Sequence, residues 1–467
     1  MTSHTVEPEK SEVNPDISTI NGWTVKKIMV LMMLMLIMMS NYLDRLIMTI
    51  LQEPIKQDLG MSDLQLGLIV GPAFGLLYGL STIPMARLAE RFDRITLLGA
   101  FAAIWSSLTV LCGAVGSYAQ LVIVRMGVGI SEAGAQPACH SLVADTFPPR
   151  QRGLATALLG MAMPLAGFLA PLAGAYIADV YGWRWAFVCV GAPGIVLAIL
   201  FRLSNKDPRK QANASSGTNA STPVKPNFLA DLKWLFTNKG FMLIFIASAS
   251  ASMVMTSALM FTASFFLRKF ELSLQEAAIV LSTGLGFGGV IGTLLGGWLA
   301  DRFSGAHGQS YMLVPCLGAL GGGVSYFIAY GVETWAVAGI FVVIASIFSS
   351  LKNGPNFASV QTLVPAHMRA TGIAVLMLAI TLVGTSLGPP LVGVLSDWAA
   401  SDAFPAALGD YAEICHGGSD LAGELKQACT RASSNGLQSA LRFNAVLYVL
   451  PVSLFLVAAK FIRLKLD

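Results

Sequence analysis

The sequence predicts an all-α membrane protein of about twelve transmembrane helices in two pseudo-symmetric six-helix bundles. Three observations lead there. Of 467 residues, 55% are hydrophobic and only 12% are charged, which is about half the charged share of a soluble domain. Apolar stretches long enough to cross a hydrocarbon layer of roughly 30 Å as helices recur along almost the whole chain. Met29–Met39 and Ala336–Phe348 are the centres of two of them. These runs are continuous rather than alternating, which favours helices over a barrel. The 46 glycines and 21 prolines lie largely inside them, where packed membrane helices bring small residues together and re-satisfy broken backbone bonds.

From the amino end, residues 1–22 are polar, carry Pro8 and Pro15, and lack a small-residue cleavage site after a short apolar core. They are expected to form a cytoplasmic tail rather than a signal peptide. Lys26 and Lys27 open the first helix, and residues 23–203 hold the first bundle. Residues 204–236 are the expected cytoplasmic linker. Ser204–Lys225 is rich in Asn, Ser, Thr, Ala and Lys, and Asp231–Phe236 suits an amphipathic turn on the membrane surface. Residues 237–467 hold the second bundle, with a long outer segment at 399–436. With this alternation most of the 30 Lys and Arg fall on the side of the termini, so both termini are expected in the cytoplasm. A net charge of +4 is too small to argue for a nucleic-acid partner. Cys112, Cys139, Cys189 and Cys316 lie in apolar helices and read as packing residues. Cys415 and Cys429 share the outer segment, where thiols oxidise, and a disulfide is expected there over two free thiols.

The two bundles repeat each other weakly. Leu88-Ala89-Glu90-Arg91-Phe92 returns as Leu299-Ala300-Asp301-Arg302-Phe303, and Met61-Ser62 returns as Leu272-Ser273, both at an offset of 211. Phe147-Pro148 with Arg152 returns as Val364-Pro365 with Arg369 at 217, and Pro171-Leu172-Ala173-Gly174 as Pro390-Leu391-Val392-Gly393 at 219. The order is the same in both halves, so the repeats are parallel and related by an axis along the membrane normal.

Asp44, Arg45, Arg125, Glu132 and Lys352 fall within predicted helices, where a charge at the bilayer centre costs at least about 2.5–3.5 kcal/mol. Arg125, Gly129, Glu132 and Gln136 share one stripe of the fourth helix, and Asn41, Arg45 and Met48 one stripe of the first, with Asp44 about 100° from Arg45. Counted at 1.5 Å per residue from the inner helix ends, Asp44 and Glu132 stand at roughly 25 and 20 Å, similar heights. Arg45 is therefore placed to bridge to Glu132, and Arg125 to Asp44. Burial favours a neutral acid and a neighbouring guanidinium favours the anion. A shift in that balance would let Asp44 and Glu132 exchange protons; the structural alternative is a permanent ion-pair network. At the repeat offset Glu132 corresponds to Ser349, so the second half lacks this carboxylate. Lys352, near Asn353 and Asn356, is placed either to meet a phosphate or carboxylate headgroup or to snorkel toward the cytoplasm.

At these motifs the chain resembles the major facilitator superfamily. That family's loop signature, Gly-x-Leu-Ala-Asp-Arg-x-Gly-Arg-Lys, stands here as Ala86-Arg87-Leu88-Ala89-Glu90-Arg91-Phe92-Asp93-Arg94-Ile95, with departures at Ala86, Glu90, Asp93 and Ile95. The Asp93 departure puts the tight turn in question. The second copy, Gly297 to Arg302, keeps the Gly and the Asp. Asn41-Tyr42-Leu43-Asp44-Arg45, Arg125 with Gly127 to Ala133, and Gly182-Trp183-Arg184-Trp185-Ala186-Phe187 together resemble the Spinster family. The first of these is shared with organic-anion symporters of the same superfamily.

The resemblance implies a monomeric secondary transporter in a cell membrane, of the bacterial inner-membrane kind. It would carry an amphipathic lipid such as a sphingoid phosphate or lysophospholipid, or alternatively an organic anion or drug, by alternating access. Its inner gate would set Glu90 at the amino end of the eleventh helix near Thr371-Gly372 and pair Arg91 or Arg94 with Asp145. Asp301, beside Arg302, would do for the fifth helix near Gly153 what Glu90 does for the eleventh. Gly384 with Gly388-Pro389, and Gly167 with Pro171, would let the eleventh and fifth helices bend or pack closely. Nothing in the sequence calls for a metal or a cofactor. A channel or an intramembrane enzyme is the less favoured reading: a His-Glu-x-x-His metalloprotease motif and a nucleotide-binding P-loop are both missing from the sequence.

Overall fold

The computed structural model describes residues 23–208, 228–303, 308–365, 368–415 and 423–461. The expected tail and most of the expected linker lie outside these. Among the described residues every regular element is a helix. Helix 1 is Val25–Leu59; helix 2 is Asp63–Leu68, Ile69–Ala73 and Phe74–Arg91; helix 3 is Arg94–Cys112. Helix 4 is Tyr118–Glu132 and Ala135–Thr146, helix 5 Pro149–Gly160 and Ala162–Tyr181, helix 6 Trp183–Ser204. After a short helix at Phe228–Thr237 come helix 7 (Lys239–Lys269), helix 8 (Leu274–Ser282, Thr283–Gly288 and Gly289–Arg302) and helix 9 (Ser310–Ala329). Helix 10 is Trp335–Ser350 and Asn353–Leu363, helix 11 Arg369–Ala379, Ile380–Thr385 and Ser386–Ala403, helix 12 Gly423–Val446 and Val449–Phe461. Eleven of these are long and apolar enough to cross a membrane, and helix 4 makes the twelfth crossing from its two segments. Odd-numbered helices run away from the termini and even-numbered ones return. Both described chain ends therefore share one end of the bundle, here the terminal end, opposite the loop end.

The duplication is visible in the helix starts. Ser62 and Ser273 each form a capping box, with Gln65 and Glu276 respectively, at the start of helices 2 and 8. The residues two positions earlier, Gly60 (φ 61) and Glu271 (φ 53), both turn the chain through the left-handed region. Glycine does this freely, whereas Glu271 accepts a steric cost of about 1–2 kcal/mol to keep the same turn.

Helices 2, 8 and 11 each contain a π-helical turn, at Ile69–Ala73, Thr283–Gly288 and Ile380–Thr385, and helix 5 is interrupted at Met161. These four irregular helices carry much of the packing between halves, 2 against 11 and 5 against 8. Helices 4 and 10 are broken for a different reason. Pro137 and Pro355, at an offset of 218, have no N–H for the carbonyls of Ala133 and Leu351, and each helix restarts just before its proline.

The cores show how the halves sit. At the loop end one apolar cluster spans both, joining Ile47, Leu51, Leu66 and Ile69 to Phe261, Phe265, Leu281 and Leu437. Toward the termini there are two clusters instead, one around Leu34, Leu98, Trp105 and Leu142, the other around Phe241, Ile244, Val360 and Phe455. The halves are therefore closed on each other at the loop end and separately cored at the terminal end.

Candidate functional site

Helices 1 and 4 bring four charged side chains together. Arg45 Nε donates to Glu132 Oε2 at 2.6 Å. Arg125 Nη1 donates to Asp44 Oδ1 at 3.3 Å, and its Nη2 to the Asp44 carbonyl at 3.4 Å. Glu132 is wholly buried, Asp44 and Arg125 nearly so, and the Arg45 side chain keeps 24% of its surface open. Asp44 Oδ2 and Glu132 Oε1 are buried without a hydrogen-bond partner. A buried polar oxygen left without a donor carries the full cost of its desolvation.

Neighbouring elements fix this box. The π-helical turn of helix 2 ends at Phe74, and Phe74 and Tyr78 stack with centroids 5.6 Å apart. They lie 5.0 and 4.2 Å from the Arg45 guanidinium, which their faces attract. Gly129, one residue of the helix-4 stripe, lets helix 4 approach helix 2, since a Cβ there would stand 2.6 Å from the Phe74 carbonyl oxygen. Phe187 of helix 6 lies 5.5 Å from Arg125. The expected continuous stripe does not run through to Gln136: helix 4 breaks at Ala133-Gly134, so half-buried Gln136 belongs to the next helical segment. Asn41 is buried beside the box on helix 1 with its Nδ2 unpaired.

The corresponding place in the second half is nearly neutral. Ser349 Oγ and Tyr448 Oη share a hydrogen bond at 3.0 Å, and Tyr448 stacks on Tyr326. Lys352 sits at the break in helix 10, 8% exposed, and does not snorkel: its Nζ donates to the Ser349 carbonyl at 2.7 Å and touches Met255 Sδ at 3.0 Å. Asn353 ties helix 10 to helix 8 by donating to Thr293 at 3.0 Å, and Asn356 is buried with an unpaired Oδ1.

A second charged cluster, absent from the sequence expectations, latches the halves at the loop end. Arg268 of helix 7 holds Asp63 of helix 2 in a two-pronged pair at 2.7 Å on each oxygen and donates to Glu53 of helix 1 at 2.9 Å. Lys56 and Ser396 each reach Asp63 at 2.6 Å. Asp397 of helix 11 in return accepts from the Asp63 and Leu64 N–H groups at 3.1 and 2.8 Å, a carboxylate at a helix amino end. The usable signal was the pairing of an acid at the start of helix 2 with a basic end of helix 7, but nothing local joins residues 205 positions apart.

At the terminal end Arg94 is wholly buried. It holds Asp145 at 2.7 Å, Ser141 at 2.7 Å and Asp207 at 2.6 Å, bracing helix 3 against helix 4 and the segment that follows helix 6. Asp207 was not foreseen. The motif's turn needs no glycine at Asp93, whose φ is −61 and whose side chain caps helix 3 by accepting from Thr96 N at 2.6 Å. The side chains of Glu90 and Arg91 lie outside the described residues. Asp301 accepts from Tyr311 at 2.7 Å in its own half, Arg302 is exposed, and a Cβ on Gly153 would meet nothing within 4 Å. Cys415 and Cys429 form a disulfide. Gly384-Thr385-Ser386-Leu387-Gly388 has the Gly-x-Ser-x-Gly spacing of a hydrolase elbow, yet it lies inside helix 11 with no strand before it, and Ser386 is buried against helix 2.

The chain matches the Major Facilitator Superfamily sequence pattern over residues 30–399. It is 32% identical over 373 residues to an MFS-type efflux pump of Mycolicibacterium smegmatis, covering 79% of this chain and 84% of the pump. It is 27% identical over 408 residues to Protein spinster homolog 1 of Mus musculus, covering 82% of this chain and 75% of the relative. Among solved structures, a bacterial homologue of the human lysosomal transporter Spinster, inward-facing and unoccupied, superposes with a TM-score of 0.81 at 27% identity, over 94% of this chain and 98% of its own. With twelve crossings in two duplicated halves and a buried charge box between helices 1 and 4, the chain belongs to the Major Facilitator Superfamily and is a Spinster-like membrane transporter.

Proposed function

We propose that this transporter is a proton-coupled secondary carrier that moves an amphipathic lipid, such as a lysophospholipid or sphingoid phosphate, by alternating access. The observation that carries the reading is the pair of donorless oxygens on Asp44 and Glu132, with Arg45 and Arg125 on their other oxygens. One proton fits between the carboxyls. Its loss leaves two buried anions for which the arginines must compensate, and its return frees Arg45 from part of its duty to Glu132. With both termini in the cytoplasm of a bacterial inner-membrane cell, the latched loop end faces outward and the conformation is inward-open. One chain holds a complete box and the loop-end latch, so a monomer suffices. The lipid assignment is supported by the likeness to the Spinster proteins. An organic anion or drug is the second reading, favoured by the efflux-pump relative.

The test is flux in vesicles carrying the purified full chain, with an imposed pH gradient. Asp44→Asn and Glu132→Gln are expected to lose the response to the gradient while exchange of loaded for unloaded substrate continues. Undiminished proton dependence in both variants would remove the coupling proposal, and transport of small organic acids with no lipid moved would overturn the lipid assignment.

A further inference from the structure

Lys352 stands out once the charges inside the bundle are balanced. Each acid of the helix 1 and 4 box has its own arginine partner. Among the described residues no carboxylate pairs with Lys352, although it is more than nine-tenths buried. Its ammonium has three donors. One meets the Ser349 carbonyl, the second meets only a thioether, a weak acceptor, and the third has no partner. A buried cation so poorly compensated is costly unless something anionic completes it.

The seat is rigid. Backbone of Ile347 and Leu351 presses against Gly292 and Gly296 of helix 8, so closely that a Cβ at either glycine would collide with a carbonyl oxygen. On the other side the Phe348 carbonyl oxygen would stand 2.6 Å from a Cβ on Gly318 of helix 9. The break in helix 10 therefore cannot turn toward helices 8 or 9, and Lys352 points to Met255 of helix 7. At the offset of 211 that relates Gly60 to Glu271, Met255 occupies the place of Asp44. The second half thus sets a cation against a neutral side chain at the position where the first half supplies its own acid. The open amino end of the Asn353–Leu363 segment adds a positive dipole beside it.

We propose that Lys352 is the anion subsite of the transport cavity, accepting a singly charged phosphoester or carboxylate of the cargo in place of the missing acid. This rests on the proposed carrier function for its physiological use, but not for its binding chemistry. The chain in phosphatidylcholine nanodiscs, without a proton gradient, is assayed for ligand-induced thermal stabilisation. The probes are 1-oleoyl lysophosphatidylglycerol, neutral 1-oleoylglycerol and D-glucarate.

Wild type is expected to distinguish the anionic lysolipid from its neutral counterpart. Lys352→Met should weaken that binding at least about tenfold, the worth of one hydrogen bond to a charged group, while Lys352→Arg keeps the preference. Met255→Glu supplies an internal acid within reach of the ammonium and should abolish the preference in a well-folded protein, which covers the case of Lys352→Met failing to fold. Selective stabilisation by glucarate alone, lost in the same variants, would keep the subsite and assign it to small acids. No discrimination by wild type, or discrimination that survives Met255→Glu, would overturn the subsite. An anion preference without gradient-driven flux would instead overturn the proton-coupling proposal and leave the subsite standing.

Discussion

Helices 4 and 10 break at equivalent prolines, Pro137 and Pro355, yet the two breaks hold opposite electrostatics. At the first, Glu132 and Asp44 are each held by an arginine from the other's helix. At the second, Ser349 and Tyr448 exchange a neutral hydrogen bond and one lysine stands without an acid. The backbone device is shared and the charges are not. A duplicated fold can therefore divide its charges: one half carries two acids paired with two arginines, and the other a single lysine without an acid.

Variants break that comparison to different extents. The largest effect is expected from Arg125→Leu, which strands Asp44 as a buried, uncompensated anion and should cost about 3–5 kcal/mol, read as a fall in the thermal midpoint of the purified protein. A loss as small as that of a surface substitution would mean that Asp44 is already neutral. Asp63→Asn should come next. It removes the two-pronged acceptor of Arg268, for about 2–5 kcal/mol, and should loosen the loop-end latch without touching the box. Spin labels at Leu64 and Trp398 are expected to separate in this variant, and an unchanged distance would show that apolar packing alone closes that end. Cys415→Ser opens the short loop of the outer segment and should cost no more than about 3 kcal/mol, seen as faster proteolysis there. The smallest effect is Ser349→Ala, about 0.5–1.5 kcal/mol for one neutral hydrogen bond. If Ser349→Ala proved as damaging as Arg125→Leu, the two breaks would not differ in the way described.

Much of this was legible in the sequence because charge inside a membrane is costly and therefore conspicuous. Asp44, Arg45, Arg125 and Glu132 stood out on that ground, and helix rise alone set the two acids at similar heights. The capping boxes at Ser62 and Ser273 were visible as a repeat before they were visible as caps. The latch of Asp63, Arg268 and Asp397 was not legible, since charges at helix ends look like ordinary interfacial residues until the tertiary fold joins them. The direction of Lys352 was left open for a related reason. Snorkelling and burial differ only in which way the broken helix 10 turns, and that is set by glycines of helices 8 and 9. The helix-4 break had a signal in Pro137 and Gly134, but an uninterrupted stripe through Gln136 hid it.

A proton shared by Asp44 and Glu132 in the loop-end-closed conformation, as proposed, would carry its own spectroscopic signature. Infrared difference spectroscopy across a pH titration addresses it directly, because a protonated carboxyl group absorbs apart from a carboxylate. A protonated-carboxyl band is expected in wild type that titrates away as pH rises and vanishes in Glu132→Gln and in Asp44→Asn. A wild-type spectrum with no such band, or a band that survives both substitutions, would contradict the shared proton.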